Sequence, residues 1–227
     1  MKLSTVTPIC KVCMKDIKDE TVGSLINNTN VICSRCFKGL HPTIQNFRVG
    51  EFKATSFYEY TETAKGLIYK FKGCFDYELK DIFFLNQKGY IKFMYKDWVM
   101  VPAPSYHEKD EIRGFNHVVE MFSSIGLPII NGVVKTKDVK QADLSSKERQ
   151  RIGEYLKWID GVDIRGKNIL FVDDILTTGS TALSICQMLK QHGAKKVEIL
   201  VGFHTKNTKV FNLFERIIRS FVAYDLS

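Results

Sequence analysis

The 227-residue sequence has no apolar stretch near the roughly 20 residues that a membrane-spanning helix needs, which excludes insertion into a membrane. Its first residues, Met1-Lys2-Leu3-Ser4-Thr5, lack the apolar core of an export signal, so a cytoplasmic location is expected. There is no internal repeat and no low-complexity tract, which excludes a solenoid. Six cysteines without an export signal do not make a disulfide framework, so their spacing matters more than their even number.

The sequence does have 44% hydrophobic residues, enough for one good core and a small appended module. Lys and Arg outnumber Asp and Glu by 33 to 25, and the surplus is spread along the chain. A modest, distributed excess of this kind suits phosphate or nucleic-acid ligands and equally suits a solvated basic surface.

Cys10-x2-Cys13 and Cys33-x2-Cys36, separated by 19 residues, have the spacing of a tetrahedral zinc site with four thiolate ligands. The intervening residues 23–31 alternate turn formers with short apolar pairs, as in two knuckles joined by a turn. Such a segment cannot build a core alone, and a structural Zn2+ supplies the cohesion. A redox C-x-x-C is the rival reading, but it normally opens a helix, and neither pair reads as a helix start. Lys11, Lys15, Lys18, Arg35 and Lys38 lie around the cysteines, with Phe37, His41 and Phe47 nearby. Basic and aromatic residues together suit single-stranded DNA, whereas Asp16, Asp19 and Glu20 oppose it.

From about residue 54 the pattern predicts a strand over 54–60 and helices over 63–72 and 77–86. Strand and helix then alternate, with strands over 98–101, 128–134, 168–172 and 197–203 and helices over 116–125, 148–158 and 180–191. Apolar strands alternating with helices indicate an α/β fold with a parallel sheet covered on both faces. Residues 135–147 read as a mobile loop, and 214–219 as a helix before a last strand. The lone Cys74 and Cys186, with His192, His204, Trp98 and Trp158, read as buried packing residues. The division expected is a zinc module over 1–48 and an α/β domain over 49–227.

The apolar strand Ile169 to Val172 delivers Asp173 and Asp174 to the rim of the sheet, where ligands of open α/β folds collect. Beyond them Thr177, Thr178, Gly179, Ser180 and Thr181 offer hydroxyls and successive backbone N–H groups at the positive end of a helix. Gly179 allows close approach of a phosphate. Amides for a phosphate and carboxylates for a vicinal diol describe a ribose 5-phosphate site. A turn followed by a helix cap is the alternative for any one of these residues.

Val172-Asp173-Asp174-Ile175-Leu176-Thr177-Thr178-Gly179-Ser180-Thr181 resembles the phosphoribosyl-diphosphate (PRPP) loop of type I phosphoribosyltransferases. With the Cys-rich start, Val101-Pro102-Ala103-Pro104, Arg113-Gly114-Phe115-Asn116, Gln141 with Leu144, and Glu148-Arg149, the sequence resembles the ComF family of competence proteins over nearly its whole length. The resemblance implies a phosphoribosyltransferase-like parallel sheet flanked by helices. It also implies a pyrophosphate loop at Ala103, Pro104 and Ser105 with Arg113 as its cation, although Asn116 and its neighbours equally read as a helix start. Asp173, Asp174 and Arg113 are then the catalytic groups, and Mg2+ accompanies PRPP. The implied role is handling of incoming single-stranded DNA in natural transformation, alongside the family's DNA translocase, ComFA. An active phosphoribosyltransferase of nucleotide metabolism is the competing reading. Two positions depart from the family pattern: His117 stands where Gln is usual, and Ile152 where Asn is usual.

Overall fold

The computed structural model describes residues 7–18, 31–136 and 155–205. Its centre is a five-stranded sheet in the order β1-β2-β7-β6-β3, with β1 Pro42–Val49, β2 Phe52–Glu59, β3 Trp98–Pro102, β6 Asn168–Leu176 and β7 Lys196–His204. β2, β7, β6 and β3 are mutually parallel, and β1 is an antiparallel edge strand. β6 and β7 lie in the middle and are apolar nearly end to end, as a strand covered on both faces must be. The expected division after residue 48 falls inside β1, whose last residues pair with β2.

Around the sheet lie α1 Ser34–Gly39, α2 Glu62–Gly73, α3 Asp81–Phe84, α4 Lys88–Met94, α5 His107–Arg113, α6 His117–Ser123 and α7 Ser180–Gln191. A single turn of 3-10 helix, Tyr77–Lys80, leads into α3. Two of the helices fix the site. α2 starts at Thr61, whose side chain accepts the Ala64 N–H, and buries Ala64, Leu67, Ile68 and Phe71 at helical spacing. That buried stripe leaves Lys72 at its edge, turned toward the end of β6. α7 buries Ala182, Ile185, Cys186 and Leu189, which anchors its first turn beside the same strand end. None of the described helices is long and apolar enough to cross a membrane.

Several readings of the sequence are corrected. Of the predicted helix over 148–158, residues 148–154 lie outside the described residues, and Leu156–Trp158 form a strand, β5, which pairs antiparallel with β4 Val133–Lys135. Its extended form is held by this pairing and by Trp158, whose ring stacks 4.5 Å from His192 and whose Nε1 donates to the Val162 carbonyl at 3.3 Å. The predicted strand over 128–134 divides: Ile129 makes one parallel bridge to Met100, and from Val133 onward the chain pairs with β5 as β4. β6 does not stop at Val172. It continues to Leu176, because β7 offers partners at Val201, Phe203 and His204, so the acid pair sits within the ladder. Cys74 is exposed, at the C-cap of α2, and not a core residue, while Cys186 is buried as expected. The readings of 23–30, Gln141, Leu144, Glu148, Arg149, Ile152 and 214–219, and all but the first two residues of the loop over 135–147, lie outside the described residues.

Candidate ligand site and metal centre

The carboxyl ends of β3 and β6 open onto a cavity of about 500 Å³. Of the residues singled out in the sequence, it brings together Ala103, Pro104 and Ser105 after β3, Arg113 at the end of α5, and Asp173, Asp174, Thr177 and Thr181 from β6 and its loop. Thr178, Gly179 and Ser180 complete that loop without lining the cavity wall. Gly179 adopts φ +77°, and an added Cβ would meet Val49 Cγ1 at 2.9 Å, so both the torsion and the space require glycine. As the N-cap of α7 it offers no side-chain acceptor, which leaves the positive end of the helix toward the loop.

Sequence reasoning missed Lys72, the cation paired with Asp174. Lys72, from α2, places its ammonium 2.6 Å from Asp174 Oδ2. Lys109, Lys135, Tyr60 and His117 also line the cavity. Asp174 is buried and further held by the Ile175 N–H, which donates to Oδ1 at 2.7 Å, and by His117 Nε2, 3.4 Å from Oδ2. Burial opposes its ionisation, but Lys72 and then His117 outweigh burial and hold the Asp174 carboxyl far below the usual range. Asp173, whose Oδ1 accepts the Asp174 N–H at 2.8 Å, goes the other way: burial, and next the adjacent Asp174 charge, push it well above that range. Two neighbouring acids thus take opposite protonation tendencies because one has the lysine.

Arg113 is also engaged. Its Nε donates to the Lys72 carbonyl at 2.9 Å and its Nη1 to Asp110 Oδ1 at 3.1 Å, while Gly114, at φ +81°, ends α5 immediately after it. Burial lowers the Arg113 pKa, and Asp110 and Asp174 oppose the shift. Asn116 does start a helix, accepting the Val119 N–H at 3.0 Å as the cap of α6. With four cationic side chains facing two carboxylates, one of them protonation-prone, the cavity suits a ligand carrying more than one anionic group.

A second constellation lies in the N-terminal segment. The sulfurs of Cys10, Cys13, Cys33 and Cys36 are all within 4.8 Å of one another, and Cys13 and Cys33 are 3.9 Å apart. A tetrahedron of thiolates about 2.3 Å from zinc has edges of about 3.8 Å, so the donor set fits a metal ion. The Cys33 N–H lies 3.4 Å from Cys10 Sγ. Burial raises the Cys10 pKa, but the Cys33, Cys13 and Val12 amides outweigh it and bring the thiol down to about 7. Contrary to the sequence reading, the Cys33–Cys36 pair does open a helix, with Cys33 as the N-cap of α1. What favours a metal over a redox pair is therefore the meeting of all four sulfurs. His41 lies outside the cluster. The segment is docked on the α/β domain: Cys10, Ile17, Ile32 and Leu40 join its core, and Lys11 Nζ lies 3.0 Å from both Asp81 and Glu78.

The core is a mixed α/β fold with a mostly parallel sheet like that of phosphoribosyltransferases, and residues 115–217 match the family described as phosphoribosyl transferase domain. The chain is also similar to the ComFC competence proteins. It is 33% identical over 134 residues to competence protein ComFC of Streptococcus pneumoniae, covering 57% of this chain and 57% of that protein. With competence protein ComFC of Bacillus subtilis it shares 27% over 140 residues, 61% of this chain and 58% of that one. The matches thus span under three-fifths of the length of these relatives. Among solved structures, a hypoxanthine phosphoribosyltransferase from Staphylococcus aureus aligns with TM-score 0.37 and 17% identity, over 54% of this chain and 61% of that chain.

Proposed function

We propose that the chain binds PRPP or ribose 5-phosphate in the cavity and serves natural transformation, assisting uptake and handling of single-stranded DNA in the cytoplasm. The observation that carries this reading is the meeting, at one sheet edge, of the Asp173-Asp174 pair, the glycine loop at the start of α7 and the cations Lys72, Lys109, Arg113 and Lys135. In this reading the 5-phosphate occupies the loop from Thr177 to Thr181, the ribose hydroxyls face the acid pair, and the pyrophosphate lies toward Ala103, Pro104, Ser105 and Arg113, where Mg2+ accompanies it. The four cysteines hold zinc, which cross-links the N-terminal segment. Its basic and aromatic surroundings suit single-stranded DNA, and the similarity to ComFC proteins supports a ComFA-type translocase as the partner.

The test is a thermal-shift titration with PRPP, ribose 5-phosphate and inorganic phosphate. A ligand at 100 times its Kd stabilises by about 2.7 kcal/mol, so protection by the sugar phosphates that disappears in Thr181→Val supports the site. Indifference of the melting curve to both sugar phosphates overturns it. A second reading, active phosphoribosyl transfer, has in its favour that both carboxylates line the cavity, where they would stabilise positive charge growing on the ribose as pyrophosphate leaves. Consumption of PRPP in the presence of nitrogenous acceptors supports transfer, and binding without consumption supports the first reading.

A further inference from the structure

His117 lines the cavity and touches both an arginine and an acid of the site. Its ring is nearly enclosed, with 13% of the side chain exposed, between Arg113 on α5 and Asp174 on β6. Arg113 Nη1 lies 3.0 Å from His117 Nδ1. A guanidinium has only donors, so the histidine nitrogen that faces it must be an acceptor. That fixes the tautomer: Nδ1 carries the lone pair and Nε2 carries the proton. Nε2 is the atom 3.4 Å from Asp174 Oδ2, so the same ring accepts on one side and donates on the other.

The contacts of Arg113 and Asp174 agree with this polarity. Asp110 Oδ1 takes one Arg113 Nη1 proton at 3.1 Å, and the Lys72 carbonyl takes the Nε proton at 2.9 Å, so the guanidinium is clamped with a remaining Nη1 proton directed at His117. On the far side Asp174 is shared between Lys72 at 2.6 Å and the histidine, with Asp173 next to it.

We propose that His117 is a positioning residue for the ligand cavity, a neutral Nε2–H imidazole that couples Arg113 to Asp174. In that role it does the work of a primary amide, which likewise carries an acceptor atom and a donor atom separated by a single carbon. The ligand part of the proposal rests on the sugar-phosphate reading above. The coupling part does not, because it concerns contacts within the chain.

The ring is read directly by nitrogen NMR of histidine-labelled protein near pH 8, with the His117 signals identified by their absence in His117→Gln. The expected result is a protonated Nε2 and a bare Nδ1, and a protonated Nδ1 overturns the proposal. The second measurement is PRPP affinity of wild type, His117→Gln and His117→Leu, with circular dichroism to confirm that each folds. The amide is expected to stay within about threefold of wild type and leucine to weaken binding about tenfold or more, the loss of a hydrogen bond to a charged group. Equal damage by both substitutions overturns the positioning role, since restoring an acceptor and a donor would then rescue nothing. If wild type binds no PRPP while the ring shows the expected tautomer, the sugar-phosphate reading fails and the Arg113–His117–Asp174 coupling stands.

Discussion

Lys72 and Asp174, 102 residues apart in the chain, form an ion pair of 2.6 Å between the last turn of α2 and the cavity end of β6. Its two members are unequally enclosed: the Asp174 side chain is 9% exposed and that of Lys72 35%. Removing the lysine leaves a buried carboxylate without its main partner. Water reaching the half-open lysine position offsets part of the loss, so Lys72→Met is expected to destabilise by about 2 kcal/mol, measured by urea denaturation at pH 7. Because Lys72 lowers the Asp174 pKa in the folded chain, the contribution of the pair is present above the unfolded carboxylate value of about 4 and fades as pH falls through the lower folded value. The difference between wild type and Lys72→Met should therefore shrink below pH 4. A constant difference down to pH 2 contradicts the pairing.

Asp173 is expected to show the opposite dependence. Its folded pKa is raised, so the native chain holds the proton more tightly and folding loses stability as pH rises from the unfolded value toward the folded one. Asp173→Asn removes this cost while Oδ1 still accepts the Asp174 N–H, and its denaturation midpoint at pH 7 should exceed that of wild type. The same substitution should weaken sugar-phosphate binding about tenfold, since the acceptor facing the ribose hydroxyls is altered. Gain of stability with loss of binding is the signature of a strained functional group, and a destabilised Asp173→Asn rejects it.

The sequence displayed β6, β7 and α7 because each is a continuous apolar run or stripe. It displayed the glycine loop because Gly179 follows a strand and precedes a helix. Lys72 was hidden. It is one of three lysines on α2, beside Lys65 and Lys70, and only its place next to the last buried residue, Phe71, separates it from them. Local pattern does not reveal that this edge of the helix meets an acid on a strand 102 residues later. The acids themselves concealed the length of β6, since two adjacent carboxylates read as a strand end unless a distant cation is known. Likewise Leu156–Trp158 has no strand signature of its own, because its form comes from β4 and from the stacking of Trp158 on His192.

The four-cysteine cluster should behave as a fold-stabilising clamp and not as an independent bead. Cys10 is fully buried and Leu40, Ile17 and Ile32 pack into the main core, so loss of the metal frees apolar surface belonging to the whole domain. Treatment with a strong zinc chelator, or Cys10→Ser, is expected to cost about 3 kcal/mol, roughly 10 °C of Tm for a chain of this size. Native mass spectrometry should show one bound metal before chelation and none after it. A domain that melts unchanged once the metal is gone would separate the cysteines from the stability of the core.

Gly66 and Gly179 should respond in opposite ways to the same substitution. Gly66 lies inside α2, exposed, with nothing within 4 Å of an added Cβ, so Gly66→Ala should stabilise by about 0.5–1 kcal/mol through helix propensity. Gly179 combines φ +77° with a Cβ position 2.9 Å from Val49 Cγ1. Gly179→Ala is expected to cost about 2 kcal/mol from torsion strain and crowding together, and to abolish sugar-phosphate protection in the thermal shift. Trimming the neighbour separates the two contributions. In Gly179→Ala/Val49→Ala the crowding is gone but the torsion is not, so the double variant should be less destabilised than the sum of the single ones, a positive coupling in the mutant cycle. Binding should stay lost, because the loop amides follow the backbone torsion and not the space beside it. Recovery of both stability and binding in the double variant would assign Gly179 to packing against β1 alone and detach it from the phosphate.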